Sequence, residues 1–148
     1  MKAQKWQYGT IGSVSCATMR KEDLIPSFTS ELRYLGHRSK ALSRIERDMN
    51  RKDYYESEDS DYDLSILFDM LDAHALPYMY FGAHPDDGSD YGFWVSEGLG
   101  YDFDGLKVED LAEVPAGYVG EILLINDRGN MTFYNKTARK LHEIWAVV

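Results

Sequence analysis

The chain has one cysteine, four prolines in 148 residues and, between residues 53 and 106, no lysine or arginine at all. A lone cysteine excludes an intrachain disulfide and any multi-cysteine zinc site, and suits a reducing compartment. Cys16 reads as a small buried hydrophobe. No apolar run approaches the roughly 20 residues needed to span a bilayer. The opening Met1-Lys2-Ala3-Gln4-Lys5-Trp6 has no apolar stretch after its positive charges, so it does not read as a secretory signal. A cytoplasmic protein is therefore expected. Also missing are a Gly-rich phosphate loop with its lysine and any Ser or Cys in a nucleophile setting. No catalytic residue, cofactor or resident metal is assigned on the primary reading.

What is present is a foldable composition: 44% hydrophobic and 14% aromatic residues. That is enough for one well-covered core, and 1–148 reads as a single domain. The formal net charge of −9 is unevenly spread. Residues 1–52 hold 11 Lys/Arg against 5 Asp/Glu, residues 53–106 hold 14 Asp/Glu and no base, and residues 107–148 hold 5 against 6. Such asymmetry speaks to partners and association, not to fold.

Along the chain, β-branched residues with Gly and Ser predict a strand near 12–18, after which Thr18 would cap a helix. Pro26 places the regular part of that helix at about 27–36, with Phe28, Leu32 and Leu35 on one buried face. A second helix is expected over 38–51, burying Leu42, Ile45 and Met49. A third, capped by Asp59 or Ser60, buries Leu64, Leu67, Phe68 and Leu71 and ends before Pro77. Strands follow at 78–82, 91–96, 106–108, 120–126, 131–135 and 141–148, with a tight turn at Asn126-Asp127-Arg128-Gly129-Asn130. Helices first and strands after predict an α+β fold, with N-terminal helices on one face of a mostly antiparallel sheet formed largely by the C-terminal half.

Two regions carry groups that could do chemistry. Between aromatic strands, the Pro/Gly/Asp-rich stretch 83–90 reads as a long hairpin or binding loop, with His84, Asp86, Asp87, Asp90 and Tyr91 as its patch. One nitrogen and several carboxylates there would suit a hard cation or a minimal acid–base pair. A small metal-dependent enzyme or ligand-binding domain is thus the alternative reading. Ala83-His84-Pro85-Asp86-Asp87 also matches part of the A-H-P-D-D-E motif of zinc-dependent N-acetylglucosaminyl deacetylases. Gly88 stands in place of that Glu, and a later paired His motif is missing.

The second region is the acidic one. Glu56, Glu58, Asp59, Asp61 and Asp63 crowd the start of the third helix, among Tyr54, Tyr55 and Tyr62. Carboxylates on a rigid frame imitate the phosphates of DNA, and tyrosines favour interfaces. Opposite in sign, Lys40, Arg44, Arg47 and Arg51 recur at i, i+4, i+7 and i+11. They read as a solvated or internally paired basic face, with direct nucleic-acid contact as the lesser reading.

The runs Tyr80-Phe81-Gly82-Ala83-His84-Pro85, Asp87-Gly88-Ser89-Asp90-Tyr91-Gly92-Phe93-Trp94, Val114-Pro115-Ala116-Gly117-Tyr118-Val119-Gly120-Glu121, Asn126-Asp127-Arg128-Gly129-Asn130 and Thr132-Phe133-Tyr134 together resemble a family of small proteins from tailed phages and prophages. The resemblance covers roughly the C-terminal half and implies an origin, with no assigned activity. By analogy it implies a non-enzymatic accessory protein in the cytoplasm of a bacterial host. Such a protein would bind a nucleic-acid-handling or defence protein at that partner's basic groove, as a DNA mimic of anti-restriction or anti-CRISPR type.

Overall fold

The computed structural model describes residues 5–148. The fold is α+β, and its chain forms two compact units, one reaching to Glu97 and one from Gly98 to Val148.

The first unit comprises β1 (Gly12–Ser15), α1 (Lys21–Tyr34), α2 (Lys40–Asp48), a 3-10 turn at Tyr54–Glu56, α3 (Glu58–Asp72), β2 (Met79–His84) and β3 (Asp87–Val95). Its strands make an antiparallel sheet in the order β1-β3-β2. Alternation sends Phe81, Tyr91 and Phe93 to one face, where they meet the helices. The Phe28 ring of α1 lies 5.1 Å from both Phe68 of α3 and Phe81 of β2, and Phe81 lies 5.0 Å from Phe93. Leu24, Ile25, Leu32, Leu42, Ile45, Leu67 and Leu71 complete this buried core.

Helix α1 starts six residues earlier than the sequence suggests and holds Pro26 inside it. Proline there removes one intrahelical N–H. Burial of Leu24, Ile25, Phe28 and Leu32 outweighs that loss, and the Thr29 hydroxyl donates to the Pro26 carbonyl at 2.9 Å. The N-cap position is Arg20, but Thr18 still ties the entry: its hydroxyl donates to Asp23 at 2.6 Å and accepts the Arg20 N–H. Helix α3 is entered from Ser57, so neither Asp59 nor Ser60 is the cap. Ser60 is buried in the first turn, donating to the Ser57 carbonyl at 2.7 Å. Cys16 is exposed, because it lies just past the end of β1, which is an edge strand.

The second unit comprises α4 (Leu99–Asp102), β4 (Leu106–Val108), a 3-10 turn at Leu111–Glu113, β5 (Gly120–Ile125), β6 (Met131–Lys136) and β7 (Leu141–Val147). Its sheet runs β4-β5-β6-β7, parallel between β4 and β5 and antiparallel elsewhere. Ile122 and Leu123 are successive and both fully buried, so β5 is covered on both faces. Phe133 stacks 5.8 Å from Trp145 and edge-on to Phe103. The β5–β6 turn closes as its residues demand. The Asn126 side chain accepts from the Arg128 and Asn130 N–H groups, and Gly129 takes the left-handed conformation at φ 81°. Among the described residues, no helix is long and apolar enough to cross a membrane.

Candidate functional site

The stretch expected to be a binding loop is mostly strand. Met79–His84 pairs with Asp87–Val95 from Met79↔Val95 to His84↔Asp87, leaving a tight turn at Pro85 and Asp86. The loop's polar groups hold that turn together. His84 Nδ1 accepts the Asp86 N–H at 3.0 Å, and Asp87 Oδ1 accepts from both the backbone and the hydroxyl of Ser89. Those two bonds hold the Asp87 carboxyl below its ordinary range. The His84 ring sits edge-on to Trp94 at 4.7 Å.

Tyr91 points the other way, 5.5 Å from Phe68 and 6.0 Å from Phe28, so it belongs to the aromatic core and not to the patch. Asp90 lies in β3, with one carboxylate oxygen enclosed and lacking a hydrogen-bond partner. Among the described residues, no three of His, Cys, Asp and Glu come together to hold a metal ion.

The acidic group divides. Glu56, Glu58, Asp59 and Asp61 are exposed around the start of α3. Asp63 is not part of that surface: it is 1% exposed, accepting from the Tyr54 hydroxyl at 2.7 Å and from Arg44 at 2.8 Å. Helical geometry explains the division. Asp63 lies four residues before Leu67 and eight before Leu71, on the buried stripe of α3. The Asp63 carboxylate raises both the Arg44 and the Tyr54 pKa, with burial the larger cause for Tyr54. On the opposite stripe, Glu58, Asp61, Tyr62, Ser65, Asp69 and Asp72 are all exposed. That stripe runs about 21 Å at 1.5 Å rise per residue. Tyr62, 67% exposed, stands among its carboxylates.

The basic face divides as well. Arg44 turns inward to Asp63 and Asp48. Arg51 approaches Asp59 at 3.6 Å and lies over the Tyr54 ring. Lys21 reaches Asp61 at 2.9 Å. Much of the charge contrast along the sequence is thus internal pairing across the first unit. Lys40 remains outside it, and Arg47 makes only a 4.0 Å approach to Asp48. With Arg33 and Arg38, which the sequence pattern did not single out, they border a groove of about 750 Å³ between α1 and α2.

A histidine pair, His74 buried and His37 half-buried, is the other feature that spacing alone did not reveal. His37 Nδ1 lies 2.9 Å from His74 Nε2, and His74 Nδ1 lies 2.6 Å from the Gln7 carbonyl. A carbonyl only accepts, so His74 carries its proton on Nδ1 and accepts the His37 Nδ1–H. His37 Nε2 is then bare, enclosed and without a partner. Burial, followed by His74 and Arg33, lowers the His37 pKa. Trp6 stacks on His74 at 4.4 Å. His37 after Gly36 and His74 at the end of α3 each look like ordinary helix-end residues, and nothing local joins them.

Compared with protein-family models, curated proteins and solved structures, the chain matches none.

Proposed function

We propose that the chain is a non-enzymatic binding protein whose α3 outer stripe docks on a basic, nucleic-acid-handling or defence protein of a bacterial host. The observation that carries this reading is the stripe itself: Glu58 and Asp61 beside the exposed Tyr62 and Asp69 beyond them, on a helix without one Lys or Arg, with Asp72 at its far end accepting the Phe81 N–H at 3.0 Å. Its carboxylates fall in two pairs, each about 4.5 Å apart along the axis and separated by about 12 Å, against about 3.4 Å per phosphate along one DNA strand. The stripe thus offers one strand's charge at lower density on a frame that needs no ordering. Glu56 and Asp59 widen it at its N-terminal end.

The ion pairs from Lys21 to Asp61 and from Arg51 to Asp59 do not close the surface. Both carboxylates remain about seventy per cent exposed, at 69% and 72%. Exposed pairs of this kind are worth about 0–1 kcal/mol, so a basic partner displaces them at little cost. The resemblance to small proteins of tailed phages supports an accessory, anti-defence role.

The alternative, a metal or ligand site at 84–90, has less behind it. His84 and Asp87 are engaged in holding the hairpin turn, and Tyr91 is in the core. The test is affinity capture from nuclease-treated bacterial lysate with the natural chain and with the isosteric variant Glu56→Gln, Glu58→Gln, Asp59→Asn, Asp61→Asn. A stoichiometric partner held by the former, lost with the latter and displaced by duplex DNA is the expected result. Equal capture by both proteins overturns the reading.

A further inference from the structure

The groove between the end of α1 and the start of α2 is unlike the rest of this acidic molecule. It is bordered by Arg33, Arg38, Lys40, Arg44 and Arg47, with Ser39, Ala41 and Ser43 between them. No carboxylate lines it. Two of the five cations are neutralised from outside: Arg33 by Glu46, and Arg44 by Asp63 and Asp48. Arg47 comes no nearer to a carboxylate than 4.0 Å from Asp48, while Arg38 and Lys40 have no ion pair among the described residues. Set against those three carboxylates, the five cations leave about two positive charges at one concavity in a chain of net charge −9.

The walls are held before any ligand arrives. Besides Glu46, the Arg33 guanidinium donates to the His37 carbonyl at 3.3 Å and to the Ser43 hydroxyl at 3.1 Å, fixing the connecting loop to both helices. Gly36, at φ 74°, makes the turn that starts that loop. Ser39 caps α2 by accepting the Leu42 N–H at 3.1 Å. The cations gathered along this frame repel one another, and a multivalent anion relieves that repulsion.

We propose that this groove binds a compact, multiply charged phosphate-bearing anion. Its volume suits a small ligand. It has no aromatic side chain on which a base could stack, as single-stranded nucleic acid requires. The acidic residues of α3 in the same unit, Asp59 and Asp61 among them, disfavour an extended polyanion leaving the groove on that side. The cationic fork of arginine and the point charge of Lys40 together suit phosphate oxygens.

Titration calorimetry with inorganic tripolyphosphate, at low and at moderate salt, tests this. One saturable site is expected, weakening with salt. Affinity should fall roughly tenfold or more in Arg38→Ala, Lys40→Ala, because charge-assisted hydrogen bonds are lost. Both residues are exposed and lack an ion pair, so an unchanged thermal midpoint should show that this variant folds. Arg139→Ala, Lys140→Ala removes the same charge from the other unit and should bind as the natural chain does. No saturable binding, or an equal loss in both variants, overturns the proposal. So does a thymidylate oligonucleotide whose affinity grows with its length and exceeds that of tripolyphosphate. The acidic stripe takes no part in this site, so failure here leaves the docking surface standing, and the reverse.

Discussion

Arg44 and Arg47 sit three residues apart on one short helix, and in sequence either could be the solvated base. Their surroundings separate them. Arg44 neutralises a carboxylate that is 1% exposed, whereas the Arg47 side chain is 75% exposed. Arg44→Ala leaves Asp63 buried with only the Tyr54 hydroxyl. Breaking such a pair typically costs about 3–5 kcal/mol, and the partial exposure of Arg44 places the expectation at about 2–3 kcal/mol. Arg47→Ala should change stability by less than about 0.5 kcal/mol. Urea unfolding of the two variants checks the contrast. Charge patterning offered pairing between the basic and acidic segments; which side chains pair is set by the tertiary packing that brings Arg44 to Asp63. Burial of Asp63 was legible in its spacing of four and eight residues from Leu67 and Leu71, but its charge grouped it with the exposed carboxylates of the same turn.

The histidine pair also belongs to this scale. His37 has a folded pKa below its ordinary 6.5. The unfolded chain therefore binds the proton more readily, and stability rises with pH through that interval. The contribution is complete above 6.5 and is lost as pH falls through the folded value. Glu31, whose pKa burial raises above 4.5, titrates with the opposite sign, contributing stability that is lost as pH rises through its folded value. The expected result is a thermal midpoint that drops between about pH 7 and about pH 5. His37→Asn, which keeps a donor toward His74 and removes the titration, should flatten that slope. An unchanged slope in the variant would place its origin elsewhere.

Among the elements, the helices and strands followed their apolar periodicity closely. The strand at Leu106–Val108 and the turn at Asn126–Asn130 stand where their residues indicate, since turn chemistry is local. Two elements departed for tertiary reasons. Helix α1 runs through Pro26 because its buried side chains outweigh one missing N–H. The hairpin after Met79 reaches Asp87 and takes in Gly88 and Asp90, which read as loop residues, while Gly92 within it lets the edge strand β1 approach closely. A Cβ on Gly92 would lie 2.1 Å from the Gly12 carbonyl oxygen, which is backbone and cannot move aside. Gly92→Ala should therefore detach or shift β1, costing about 1–3 kcal/mol as overpacking does. Amide exchange at Gly12–Ser15 should rise, while exchange in the second unit stays unchanged. Loss of protection spread evenly over both units would contradict that local account.

For the whole molecule, charge is the property most easily read from sequence and the one most altered by folding. Up to Glu97 the chain has 11 Lys/Arg and 17 Asp/Glu, yet Arg33, Arg44, Lys21 and Arg51 meet carboxylates within that unit. After this pairing, an acidic stripe on α3 and a basic groove beside α2 remain open. The docking account rests on the stripe, and salt dependence separates it from a hydrophobic contact through Tyr62. The decisive measurement is the affinity of the captured partner for the natural chain and for the four-site isosteric variant across a salt series. The account predicts binding that weakens steeply with salt, competes with duplex DNA and falls at least tenfold in the variant. Salt-independent affinity, equal in both proteins, would contradict it.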